Sequence, residues 1–406
     1  RCFCVMRILA LAPTLVIGLS IGGLHICAIE SPAQLYCWGK NQYGQLGDGT
    51  LKEKKTPTLV AGMDQVVQVS SGGGYNWGHT CAVTTNGSTY CWGNNKYGQL
   101  GLGMISQNET TPQLVPGVED AVAVSCGRSH TCILLKDGTG KCAGSNWQGQ
   151  LGTGKDHKEL EKSADLLPVE LQRMTALVAS RSSTCAILSD KTLWCWGFGT
   201  YGRLGLGSQD PVYAPTQLPL KGVSSVSLGG HHGCALLDKG RAQCWGSNKD
   251  LQLGAGSETV GTLVLPKAGA LSPKPLEVDG MTDLVGVTTG RWHSCSLSKH
   301  GVTHCWGGNR SGQRGVGPNK HTDEPQQPAG LGKVVEVVAG FMNTCVILED
   351  RTAQCWGSSH NGQTGTGEVQ KEVDMPAAVQ ILQNIVVTPP DGHVTHPLFG
   401  TRKEEL

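Results

Sequence analysis

Seven times along this chain a short β-branched run is followed by stretches in which apolar and polar positions alternate. Val66 to Ser70 (VVQVS) is one such run, and His79 to Gly103 (HTCAVTTNGSTYCWGNNKYGQLGLG) is the stretch after it. TCAVTT here and TCAILS in a later copy repeat at two residues, the period of a strand with one face buried. Each copy then ends on a glycine-rich motif and a variable loop that usually holds a proline. The pattern predicts an entering strand, a two-stranded hairpin and a loop in every unit.

Cysteine measures the repeat. The first cysteine of each unit is Cys27, Cys81, Cys132, Cys185, Cys234, Cys295 or Cys345, a mean period of 53 residues. A partner always follows at a spacing of ten: Cys37, Cys91, Cys142, Cys195, Cys244, Cys305 and Cys355. In the second unit the pair is centred on Asn86. A three-residue turn Thr85-Asn86-Gly87 then sets Thr84 against Ser88 and Cys81 against Cys91. Such turns favour glycine in third place, where the chain enters the left-handed region. Glycine stands there at Gly87, Gly138, Gly240 and Gly301; Ser-Pro-Ala, Ser-Asp-Lys and Glu-Asp-Arg occupy the other three turns. Counting outward puts the cysteines at a non-hydrogen-bonded pair, with Cα atoms about 4.5 Å apart, at the short end of disulfide geometry. Seven cross-strand disulfides are expected. The alternative is seven pairs of buried thiols; zinc suits the pattern less, since a hairpin supplies only two thiolates. Disulfides would place the chain in an oxidising compartment. Cys2, Cys4 and Cys126 are left over, the last as a buried thiol.

Composition narrows the class. Glycine is 58 of 406 residues and phenylalanine 4, which fits a turn-rich chain rather than a helical one. The net charge is +1, with no basic stripe, so nucleic acid is not an expected partner. No stretch argues for a membrane span. Residues 1–13 form a lead. Met6 to Ile21 reads as a signal peptide, but Leu15 to Ile29 aligns with the entering strand of the next unit, the preferred reading. Residues 14–387 make one repeat domain, and Thr388 to Leu406 a disordered tail. The run QNIVV within Ala377 to Val387 is a candidate for a closing strand. KDHKELEK in the connector 153–174 is a candidate short helix.

The recurrent pattern His-Thr-Cys-Ala, then Cys-Trp-Gly-x-Asn-x-x-Gly-Gln-Leu-Gly-x-Gly, resembles the regulator of chromosome condensation repeat family. The third unit departs from it, with Ala143 in place of tryptophan. The resemblance implies an all-β fold, a seven-bladed β-propeller, and the paired cysteines are similar to its extracellular members. Its members' roles include nucleotide exchange on a small GTPase, ubiquitin-ligase recognition and plant ultraviolet sensing. The last needs clustered tryptophans, and only Trp292, in Gly-Arg-Trp-His, is similar to that motif.

Recurring polar residues are read as structural. Histidine stands two places before the first cysteine at His25, His79, His130, His232 and His293, but Ser183 and Asn343 take the place in the other units. A hydrogen-bonding role fits all three residue types. The GQLGxG glycines lack the lysine and following helix of a phosphate loop. Asn86, Asn108 and Asn309 open glycosylation sequons. Lys403, Glu404, Glu405 and Leu406 resemble the Lys-Asp-Glu-Leu retrieval signal. Together with the cysteines these favour the secretory pathway, in the endoplasmic reticulum lumen or outside the cell, over cytoplasm or nucleus. The expected function is a non-catalytic, monomeric scaffold, without cofactor or metal. It would bind a protein partner through the loops 104–118, 153–174 and 257–280 on one face. A guanine-nucleotide exchange factor and a propeller enzyme are the alternatives.

Overall fold

Each repeat folds into a four-stranded antiparallel sheet. The computed structural model describes residues 18–30, 33–255, 270–317 and 322–379. Blade 2 shows the plan: Val66–Gly74, Trp77–Thr84, Thr89–Asn94 and Asn108–Leu114 pair in that order. Seven such sheets, from Leu19 to Ala378, form a seven-bladed β-propeller. The first strands are the β-branched runs, buried around the axis. The fourth strands, such as Asn108–Leu114, are partly exposed at the rim.

The hairpin turn follows the expected count. Thr84 N donates to Ser88 O at 3.0 Å and Gly87 N to Thr84 O at 2.9 Å. Gly87 has φ +81°, and Ala33, Lys191 and Arg351 hold the same left-handed conformation at 78°, 61° and 67°. Position in the turn, not residue type, sets that backbone. A side chain costs about 1–2 kcal/mol there, partly offset by glycine's freer unfolded chain. Arg351→Gly should therefore raise stability by about 0.5–1 kcal/mol in urea titrations.

In blade 1, Leu19–Ile21 pairs with the strand His25–Glu30, so these residues follow the strand reading. The lead, QNIVV and the tail lie outside the described residues. KDHKELEK is not a helix. Asp156 Oδ1 accepts from Lys158 N at 2.8 Å and Glu159 N at 3.2 Å, and Leu160 N closes a single turn on Asp156 O. Strand pairing resumes at Lys162 and leaves no room for a second turn. Among the described residues, blades 7 and 1 meet through side chains. Leu19, Ile26 and Trp38 share a core with Val338, Ile347 and the Cys345–Cys355 pair. Trp38 Nε1 donates to Gln363 O across that seam at 3.0 Å.

Candidate functional site

The paired cysteines stand opposite one another in register. Their Cα atoms are 4.0–4.1 Å apart and all seven pairs are joined. Each bridge is buried, and the tryptophan of the following blade packs into the core it belongs to, as Trp92 does on Cys27–Cys37. The indole also fixes a glycine: a Cβ on Gly254 would sit 2.6 Å from Trp306 Nε1. At the seam between blades 2 and 3, where Ala143 replaces the indole, Leu166 lies against Gly101 instead. Trp306 is fully buried and donates to Gln252 O at 3.0 Å. Trp306→Ala should cost about 3–5 kcal/mol, read as a lower urea midpoint.

The recurrent histidines link neighbouring blades. His25 Nε2 meets Thr80 Oγ1 at 2.8 Å, and Thr80 Oγ1 donates to Gln45 O at 2.8 Å. His130–Thr184–Gln150, His232–Ser294–Gln252 and His293–Thr344–Gln313 repeat the relay. The hydroxyl spends its one proton on the carbonyl, so the histidine must donate from Nε2. His79 Nε2 likewise meets Thr131 Oγ1, at 2.9 Å, but that hydroxyl faces Cys126 Sγ at 3.9 Å. Burial pushes His79 down to about 4 and the other four to about 3. These rings are neutral fasteners. Among the described residues no group of three or more His, Cys, Asp or Glu could hold a metal. A second set of seams runs nearer the axis. Ser20, Ser70, Ser125, Ser227 and Thr288, each opposite the first cysteine of its blade, accept the N–H of the next blade's first strand at 2.8–3.0 Å.

The GQLGxG motifs are closed turns. Gly44 N donates to Asn41 O, Gly47 N to Gly44 O and Leu46 N to Asn41 Oδ1, so these amides are engaged within the protein. Strand direction puts these loops, which join third to fourth strands, on the same face as the turns joining first to second strands. The hairpin tips lie on the other face. The connectors 104–118, 153–174 and 257–280 all begin as third-to-fourth connections; residues 257–269 of the last are outside the described residues. Asn86 is exposed on a hairpin tip, and Asn108 is half-buried at the start of a rim strand. Asn309 does not suit a glycan in the folded chain: it is buried, its Nδ2 donating to Gly317 O and its Oδ1 accepting from Arg314 N. Lys403 to Leu406 lie outside the described residues.

Where the first strands end, a central channel of about 310 Å³ opens on the face with the glycine-rich loops. Arg128, Arg181 and Arg291 line it, with Tyr75 and Phe341, and no acidic residue is among its lining. Arg291 lies 3.9 Å over Trp292, 4.5 Å over Phe341 and 5.2 Å over Tyr75. Behind the rim, His231 sits 3.2 Å from both Arg181 Nη1 and Arg203 Nη2. Burial, then repulsion from Arg181, lowers Arg203 to about 9. Burial, then repulsion from Arg203, Arg181 and Arg291, lowers His231 to about 3. Sequence reading missed this cluster. Its signal was arginine two places before the recurrent His, Ser or Asn position in three units, at Arg128, Arg181 and Arg291.

A profile of the RCC1-like domain matches residues 7–272, and one of the regulator of chromosome condensation (RCC1) repeat matches 334–363. The chain belongs to the RCC1-like family. Among relatives in that family, the ultraviolet-B receptor UVR8 of Arabidopsis thaliana is 31% identical over 78% of this chain and 70% of its own length. Human protein RCC2 is 30% identical over 55% of this chain and 48% of its length. The human E3 ubiquitin-protein ligase HERC2 is 28% identical over 78% of this chain, which spans only 6% of that protein. Human WBSCR16 shares the fold with a TM-score of 0.75 at 20% identity, covering 86% of this chain and 95% of that one. Prp20p of Saccharomyces cerevisiae does so with 0.71 at 23%, covering 80% of each. Among the described residues no helix is long and apolar enough to cross a membrane. The tryptophans outside the repeated position do not stack on one another: Trp292 stacks on His231 at 6.4 Å, while Trp77 meets Tyr43 and Tyr97.

Proposed function

We propose that this propeller is a non-catalytic scaffold that binds a protein partner through the face carrying its glycine-rich loops. The observation that carries the reading is where exposed apolar side chains fall. Of eleven exposed large apolar side chains among the described residues, Leu51, Met104, Ile105, Trp147, Tyr201 and Val369 lie in third-to-fourth connections and Tyr75 in a first-to-second turn, all on that face; Leu59, Leu114 and Met375 lie on rim strands and Val122 on a first strand. Apolar loops on one face of a stapled ring offer a partner contact area with little ordering cost. The bridges favour action in the secretory pathway, in the endoplasmic reticulum lumen or outside the cell. Asn86 would carry a glycan on the opposite face and leave the binding face open.

Lysine cross-linking on protein from its own cells tests this. Links to a partner are expected from Lys52 and Lys96, near the apolar loops. Links confined to Lys191, Lys239 and Lys299, on the hairpin tips, would turn the reading to the other face. A chain that forms no partner links on either face would overturn the scaffold reading.

A further inference from the structure

The channel mouth holds more hydrogen-bond donors than the protein can satisfy. Arg128, Arg181 and Arg291 converge on about 310 Å³ of open space with no carboxylate in its lining. This is a local excess, because the whole chain carries a net charge of only +1. Arg291 Nε and Nη1 are buried without a hydrogen-bond partner. A buried, unpaired donor normally costs about 1–3 kcal/mol, more when charged. The Arg128 guanidinium makes no hydrogen bond or ion pair among the described residues, whereas its backbone N–H is held by Arg181 O at 2.9 Å. His231 compounds the excess. A neutral imidazole has one lone pair to offer, yet guanidinium nitrogens stand 3.2 Å from both ring nitrogens, so only one contact can be a hydrogen bond. Arg181 also holds φ +44°, a conformation that non-glycine residues keep only where their surroundings enforce it.

We propose that this mouth binds a carboxylate from an acidic segment of a protein partner. The guanidinium fork matches a carboxylate with two parallel N–H···O bonds. The aromatic groups around Arg291 hold its plane in place, so little side-chain freedom is lost on binding. The cavity holds roughly ten waters at ~30 Å³ each, enough for one or two side chains but not a folded element. The rings of Tyr75 and Phe341, 4.8 Å apart edge to face, give the rim an apolar surface that residues flanking the carboxylate can cover. A free inorganic anion would leave that surface unused. The inference rests on the scaffold reading and adds the chemistry of the partner.

The test is calorimetry at 50 mM salt with two probes, N-acetylated hexaglutamate and inorganic phosphate. The wild type should bind the peptide at least tenfold more tightly than phosphate. Arg128→Gln/Arg181→Gln should weaken peptide binding tenfold or more. If that variant fails to fold, Arg128→Gln alone should weaken it threefold or more. Absent peptide binding, an unchanged affinity in the variant, or equal affinity for phosphate would each overturn the proposal. A cross-linked natural partner that binds the variant as well as the wild type would sink this inference while leaving the scaffold standing. A chain that links to no partner would overturn the scaffold reading and this inference with it, whatever the peptide does.

Discussion

Between pH 6.5 and pH 4 the folded protein should lose stability steeply, through five buried imidazoles. An unfolded histidine takes up a proton near pH 6.5. In the folded ring His79 does so only near 4, and His25, His130, His232 and His293 near 3, because burial penalises the charged form. In that window the unfolded chain binds more protons, so acid favours unfolding. The stabilisation is complete above pH 6.5 and is lost as pH falls towards the folded values. Each ring contributes up to about 1.4 kcal/mol per pH unit, and five together up to about 7, to which His231 adds one such share and Glu336 opposes one, against a usual total stability of about 5–15 kcal/mol. Urea midpoints from pH 7.5 to 4 measure the slope. Asparagine serves at this place in blade 7, where Asn343 Nδ2 donates to Ser358 O. His79→Asn should therefore fold and flatten the slope by about one proton. A flat profile down to pH 4.5 would mean that the rings are not held neutral.

One buried carboxyl opposes the histidines over much of the same window. Burial raises Glu336, at the seam between blades 7 and 1, to about 8. A raised carboxyl stabilises the fold fully below its unfolded value of 4.5, and that contribution is lost as pH rises from there to about 8. Its counterpart in blade 2 is Gln68, whose amide donates to Val124 O at 2.7 Å and accepts from Val124 N at 2.6 Å. Glu336→Gln should remove this loss between pH 4.5 and about 8, read as a steeper fall in urea midpoint on acidification.

These contrasts show which features a sequence can reveal. The blade was legible because its constraints are local: ten residues separate each cysteine pair, and the turn between them follows from counting outward from Asn86. The relay was half legible. Histidine's recurrence was plain, and its exchange with serine and asparagine pointed to hydrogen bonding. Its partners, however, lie 51–62 residues away on the next blade, at distances set only by ring closure. The hydroxyls opposite the first cysteines were hidden in the same way, since serine in a strand has no signature of its own. The arginine cluster is more remote still. Arg128, Arg181 and Arg291 come from different repeats and meet only because first strands converge on one axis, while Arg203 takes a place that is glutamine in six units. A feature made by the ring as a whole leaves only a faint mark in any one repeat.

Reduction should unfold the propeller. Each bridge closes a loop of about ten residues, for which chain entropy gives roughly 2–3 kcal/mol. Seven sum nominally to about 20 kcal/mol, more than most domains have in reserve. Blades cooperate, so the measured loss should be smaller, yet even half would unfold an ordinary domain at 37 °C. The sulfurs are buried, so a reductant must wait for a blade to open, and native protein should resist dithiothreitol that reduces denatured protein at once. Counting thiols on denatured, unreduced protein from its own cells, alkylated at lysis, should find three free, at Cys2, Cys4 and Cys126, and peptide mapping should join each pair at a spacing of ten. Burial pushes the Cys126 thiol up to about 12, so in the folded state it should alkylate far more slowly than an exposed thiol. Seventeen free thiols, with an unchanged urea midpoint after reduction, would make the pairs packing elements. The scaffold would then belong in the cytoplasm or nucleus. Stability and compartment are thus tied to one chemistry: a ring that needs its bridges can assemble only where thiols oxidise.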